Sequence, residues 1–128
     1  MIVAGVGCRA GASAAEVEAA IAAALASAGL QAGALGMIAT SVAKAAEPGI
    51  VEAASGRGVK FVVVPQAEFE AAGLRAVTRS ERVLALTGVP SVSEAAALAA
   101  GGPAARRIAP RVAVGPATCA LASTEKAL

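Results

Sequence analysis

Short, continuous apolar runs alternate along the chain with longer stretches in which apolar residues recur at helical spacing. The first run, Ile2 to Val6, has no polar position and predicts a strand covered on both faces. After Ser13 the period changes. Val17, Ile21 and Leu25 fall at i, i+4 and i+8, so one apolar stripe predicts a helix to about Ala28. Ser13-Ala14-Ala15-Glu16 forms a capping box at its start, and Gly29 supplies the stop. Leu35 to Thr40 predicts a second strand. A short helix is expected from about Pro48 to Ser55, ended by Gly56 and Gly58. Lys60 to Val64 is a β-branched run and predicts a buried third strand. Gln66 to Ala72 predicts one or two helical turns.

Thr78 to Leu86 fits neither period. Gly88-Val89-Pro90 is a break, and Ser91-Val92-Ser93-Glu94 is a second capping box, opening a helix to about Ala100. Arg107 to Val114 and Ala117 to Ala122 predict two strands joined across Gly115-Pro116, and the tail after Ser123 is expected to fray. Strands alternating with helices predict an α/β fold: a three-layer α/β/α single domain over residues 1–128, with a mostly parallel sheet. Ligands of such sheets bind beyond the carboxyl ends of the strands.

Composition narrows the chemistry. Of 128 residues, 57% are hydrophobic and 16% charged, and alanine alone makes up about 30%. A chain this apolar buries a core, but a small-sided one, since Phe61 and Phe69 are its only aromatics. No apolar stretch is long and charge-free enough to span a membrane. The first residues lack a basic leader, so the cytoplasm is the expected location and Cys8 and Cys119 are expected as free thiols. The net charge of +2 is mild, and Arg106, Arg107 and Arg111 have no stacking rings among them, which argues against nucleic acid. The chain contains no His, Asp, Asn, Tyr or Trp. A Ser-His-Asp triad and an aspartic dyad are therefore impossible within it, and no metal site is expected.

Two loops carry candidate chemistry. Gly5-Val6-Gly7-Cys8-Arg9-Ala10-Gly11-Ala12-Ser13 joins a strand to a capped helix. Its glycines can bring amides close to an anion, with the helix start and Arg9 adding positive potential; the same glycines would equally serve a tight packed turn. Cys8, beside Arg9 and a helix start, is expected to have a lowered pKa. The segment also fits the loose dinucleotide pattern Gly-x-Gly-x-x-Ala. That pattern needs an acid at the end of the next strand, where Thr40 and Ser41 stand instead, so an NAD(P)-binding domain is a remote alternative. In the second loop, Thr40 to Gly49, Lys44 can hold a carboxylate or steady an oxyanion. Glu47 can act as a general base, orient Lys44, or simply begin a helix as an acid matched to its dipole.

In series, Gly5-x-Gly7-Cys8-Arg9-x-Gly11-x-Ser13, Ser41-x-x-Lys44-x-x-Glu47-x-Gly49 and Gly88-Val89-Pro90-Ser91-Val92-x-Glu94-Ala95-Ala96-Ala97-Leu98 resemble the CobE/CbiG C-terminal family of cobalamin (vitamin B12) biosynthesis. The resemblance covers nearly the whole chain. It implies a protein of the aerobic corrin pathway that acts on or binds a precorrin-5-like intermediate, with the opening of a δ-lactone and release of acetaldehyde as the hydrolase chemistry known in that family. The alternative is a non-catalytic tetrapyrrole carrier serving neighbouring enzymes of the pathway. The implied ligand-binding residues are Gly7, Cys8, Arg9, Gly11, Ser13, Ser41 and Lys44, with Glu47 and Lys44 in the catalytic roles. No cofactor, metal, nucleic acid or membrane is implied. Two departures stand out: Ala43 lies where the family commonly has an acid, and Arg111 where it often has a lysine.

Overall fold

The structure, a computed structural model, describes residues 1–73, 92–108 and 111–124. The Thr78–Leu86 stretch, the break at residues 88–90, Ser91 and the tail beyond Thr124 lie outside the described residues. In chain order the elements are β1 (Ile2–Cys8), α1 (Ala14–Ser27), β2 (Leu35–Ser41), α2 (Pro48–Arg57), β3 (Lys60–Val64), α3 (Gln66–Gly73), α4 (Val92–Gly101), β4 (Arg106–Arg107), β5 (Val112–Val114) and β6 (Ala117–Ser123). Single 3-10 turns precede and follow β2.

Local signals explain most of these boundaries. Ser13 Oγ accepts from the Glu16 amide while the Glu16 carboxylate accepts from the Ser13 amide, closing the capping box at α1. Gly29 follows that helix at φ +72° and Gly58 follows α2 at φ +68°, the left-handed conformation that glycine adopts without a Cβ penalty. Pro48 occupies the first turn of α2, where its missing amide costs nothing.

The sheet order is β3-β2-β1-β6-β4, with β5 also paired to β6. β1, β2 and β3 pair in parallel, while β6 runs antiparallel to β1, β4 and β5. Five strands therefore share one direction and β6 opposes them. The sheet is mostly parallel in strand direction, as expected, but mixed in its pairings. The hairpin is the reason: Gly115, at φ +56°, and Pro116 fold β5 directly back onto β6, a connection available only to antiparallel neighbours.

Helices cover both faces. Val17, Ile21 and Leu25 of α1 and Ile50, Ala53 and Ala54 of α2 pack with Val6, Ile38 and Leu121 on one side. Phe69 and Ala72 of α3 and Ala95 to Leu98 of α4 pack with Val3, Met37 and Ala122 on the other. The stripe read from the sequence is thus the buried face of α1, and Leu25→Ala should cost roughly 2–5 kcal/mol in chemical denaturation, the range for truncating a packed leucine. A loss under about 0.5 kcal/mol, typical of surface positions, would show that the side chain is not packed. Among the described residues no helix is long and apolar enough to cross a membrane.

Candidate functional site

Because β1 and β2 are parallel, with Gly5 beside Ala39, their carboxyl ends lie at the same edge of the sheet. The loops that follow them therefore meet. A buried hydrogen bond from Thr40 Oγ1 to the Val6 carbonyl, 2.8 Å, ties the two strands near that edge. The β5–β6 turn reaches the same place: the Arg9 amide donates to the Pro116 carbonyl at 2.9 Å. Between the three segments lies an open cleft of about 580 Å³.

Its walls come from four sources. The end of β1 gives Gly7, Cys8, Arg9 and Ala10; the loop after β2 gives Ser41, Ala43 and Lys44; the hairpin gives Arg111, Ala113, Gly115, Pro116 and Thr118; and α4 contributes Val92. Of the residues singled out in the sequence, Gly7, Cys8, Arg9, Ser41 and Lys44 come together here. Gly11, Ser13 and Glu47 do not line the cleft. Ser13 is occupied in capping α1. The Gly11 amide donates instead to Glu47 Oε2 at 3.3 Å, which sets Glu47 behind the wall rather than in it. Arg111 and Thr118 join the site from a distance in sequence; Thr118 lies beside Gly7, its hydroxyl donating to the Gly7 carbonyl at 3.4 Å. Position 111 was visible as a charge, but nothing in its local pattern predicts that the hairpin folds back over β1.

The glycines divide the work differently from the sequence reading. Gly5 and Gly7 are strand residues, and only Gly11, at φ +84°, makes the turn. A Cβ at Gly5 would stand 1.9 Å from the Ser93 carbonyl oxygen and 2.5 Å from the Ala97 nitrogen. Gly5 is therefore where α4 lies directly on the sheet, not part of an anion cradle. Gly49 similarly lets the start of α2 touch the Ala12 carbonyl, where a Cβ would stand 2.3 Å away.

Among the described residues that line the cleft, Arg9, Lys44 and Arg111 are cationic and none is acidic. The ion pairs of the described residues lie elsewhere: Arg57 with Glu18 at 2.8 Å, and Arg107 with the buried Glu94 at 3.7 Å. Glu94 is therefore packed against the sheet side of α4, where the sequence offered only a helix-starting acid.

Cys8 departs from expectation. Burial pushes its thiol above the ordinary range, the Glu47 carboxylate adds to the rise, and Lys44 opposes them. The shift is opposite in direction to the lowering expected from Arg9 and the helix start. Cys119 is more extreme: burial in β6 pushes it up to about 12, against a smaller opposing effect of Arg57. A folded-state pKa raised in this way favours the neutral thiol, so its stabilising contribution is complete below the unfolded value and disappears as pH climbs towards about 12. Stability should accordingly fall through that alkaline window, and Cys119→Ala should flatten the fall in thermal melts recorded across it. A variant that loses stability with pH as steeply as wild type would show that another group titrates.

The class is that of a three-layer α/β domain with a cationic cleft at the carboxyl ends of its parallel strands. Residues 2–122 match the family described as cobalamin synthesis G C-terminus, and the chain belongs to that family of cobalamin biosynthesis proteins. It is 39% identical over 121 residues to the protein CobE of a Sinorhizobium species, a match covering 94% of this chain and 79% of that protein. Its fold is similar to the crystal structure of CobE, a protein from the cobalamin biosynthetic pathway, with a TM-score of 0.88 at 30% identity over 95% of this chain and 89% of the other. It is also similar to the cobalamin biosynthesis protein chiG from Agrobacterium tumefaciens, with a TM-score of 0.78 at 43% identity over 98% of this chain and all of the other. A cobalamin biosynthesis protein G homolog from Sulfolobus solfataricus shares the fold at a TM-score of 0.68 and 24% identity, and there this chain spans 37% of the other's length.

Proposed function

We propose that the cleft binds a precorrin intermediate of the aerobic corrin pathway, of the precorrin-5 kind, and that Arg9, Lys44 and Arg111 pair with its peripheral carboxylates. The observation that carries this reading is the convergence of Arg9, Lys44 and Arg111, from three separate segments, on a lining that holds no acid among the described residues. A precorrin is a macrocycle ringed with acetate and propionate groups. It suits a cleft with several separated positive charges better than a pocket built around one. The apolar lining, Ala10, Ala43, Val92, Ala113 and Pro116, offers contact to the macrocycle itself, while Ser41 and Thr118 add hydroxyls.

Binding is favoured over hydrolysis by the same lining. A lactone-opening enzyme needs a base within reach of a water or of the ester, and Glu47, the carboxylate the sequence offers for that role, is engaged with the Gly11 amide and does not line the cleft. The test is a titration of the purified protein with a precorrin-5 intermediate, followed by its visible absorbance at two salt concentrations, with acetaldehyde assayed in the same samples. Saturable, salt-weakened binding without acetaldehyde is expected. Acetaldehyde release would replace the carrier reading with the hydrolytic one, and absence of binding at low salt would overturn both.

A further inference from the structure

Glu47 begins α2, yet its carboxylate caps nothing in its own helix. It reaches instead to the amide of Gly11, 36 positions earlier in the chain, at 3.3 Å. Gly11 is the left-handed turn of the loop that carries Arg9. The rest of that loop is pinned by backbone. The Arg9 amide is held by Pro116 at 2.9 Å, the Ala12 amide by the Arg9 carbonyl at 3.2 Å, and the Ala12 carbonyl lies against Gly49, two residues beyond Glu47. Among the described residues, Glu47 is the side chain that holds the middle of the loop. It ties the Arg9 loop to the segment that carries Lys44, so two of the three cleft cations are set relative to one another through it.

We infer that Glu47 is a positioning residue for the polyanion cleft, holding Arg9 and Lys44 at a fixed separation through the Gly11 amide; this rests on the ligand reading above. The role makes an unusual prediction of sign. If Glu47 acted only as a nearby negative charge, removing it would strengthen the attraction for a polyanion, and Glu47→Gln and Glu47→Ala would both bind more tightly. A positioning role separates them. A glutamine carbonyl still accepts from the Gly11 amide, whereas alanine leaves the loop untied.

The probe is uroporphyrin, a stable macrocycle with eight carboxylates, titrated by fluorescence against wild type, Glu47→Gln, Glu47→Ala and Arg9→Ala, with circular dichroism confirming the fold. Hydrogen exchange of the peptide spanning residues 9–12 is read on the same proteins. Glu47→Gln should bind within about twofold of wild type, while Glu47→Ala should bind about tenfold more weakly, as for the loss of one charge-assisted contact. Exchange in the loop should speed up several-fold in the alanine variant alone. Tighter binding in both Glu47 variants, or unchanged binding and exchange in Glu47→Ala while Arg9→Ala is weakened, would overturn the positioning role and leave the cleft reading standing. Failure of wild type to bind the probe would instead remove the cleft reading, and the exchange comparison would still decide whether Glu47 holds the loop.

Discussion

Gly5→Ala should destabilise the protein by about 3 kcal/mol or more, at or beyond the upper end of ordinary overpacking, and Gly5→Val should prevent folding. Gly5 lies in the central strand β1, with β2 and β6 hydrogen-bonded on either side, so the strand cannot step aside. Above it lies α4, buried from Ser93 to Leu98 and set against Gly5 through the Ser93 carbonyl and Ala97, one turn apart on the helix. The new methyl would meet the Ser93 carbonyl at 1.9 Å, the Ala97 nitrogen at 2.5 Å and the Ala97 Cβ at 2.9 Å. Two of the three are backbone, so no rotamer change relieves them and the helix itself must lift. For the same reason Ala97→Gly, which removes only the third contact, should not rescue Gly5→Ala. Gly56→Ala is the control: a helical glycine with nothing within 4 Å of its missing Cβ, where alanine should stabilise by about 0.5–1 kcal/mol. Urea unfolding of the four variants distinguishes these outcomes. A Gly5→Ala midpoint equal to wild type would mean that α4 does not sit where it is described.

The same residue shows what sequence could and could not reveal. Gly5 and Gly7 are conspicuous as a spaced pair ahead of a capped helix, and a phosphate-cradle pattern has that spacing too. Local pattern fixes the strand, the turn at Gly11 and the helix start at Ser13, because period and capping are decided by neighbours in sequence. It does not say what lies above Gly5, since α4 arrives from about 90 residues away. Arg111 was marked only by the resemblance, as standing where the family often has a lysine, and its place over the cleft was not legible for a similar reason. Its hairpin was legible in Gly115-Pro116, but the pairing of β6 with β1 that brings Arg111 over the cleft is a choice of tertiary partner. Cys8 was misjudged because a formal charge next door in sequence is not the dominant influence. Burial and the Glu47 carboxylate together push its thiol up, and neither can be read from the order of residues. By contrast Arg9, Ser41 and Lys44 were found correctly as neighbours in space, because two strand-to-helix loops of a parallel sheet must open at the same edge.

Removing all three cleft cations should reduce affinity for the proposed precorrin by roughly a thousandfold. Arg9 is exposed and Arg111 partly so in the empty cleft, so each contact is set at the low end of a charge-assisted hydrogen bond, about 1.5 kcal/mol, or close to tenfold per cation. Contacts to one ligand are not strictly additive, and a departure from the simple product is itself informative: a rigid macrocycle held at three points loses more from the first substitution than from the last. The competing account is that all three side chains are merely solvated surface charges, worth at most about 1 kcal/mol each and screened by salt. The two accounts separate on Arg57→Ala. Arg57 is equally cationic but is paired with Glu18 and does not line the cleft. If affinity follows overall charge, Arg57→Ala should weaken binding as much as Arg9→Ala; if it follows the cleft, it should leave binding unchanged. The measurement is a titration of wild type, the three single variants, the triple variant and Arg57→Ala at two salt concentrations. The salt dependence should shrink stepwise with each cleft cation removed, because each carries a carboxylate contact whose counterions would otherwise be released. A folded triple variant that binds as tightly as wild type would place the ligand elsewhere on the molecule.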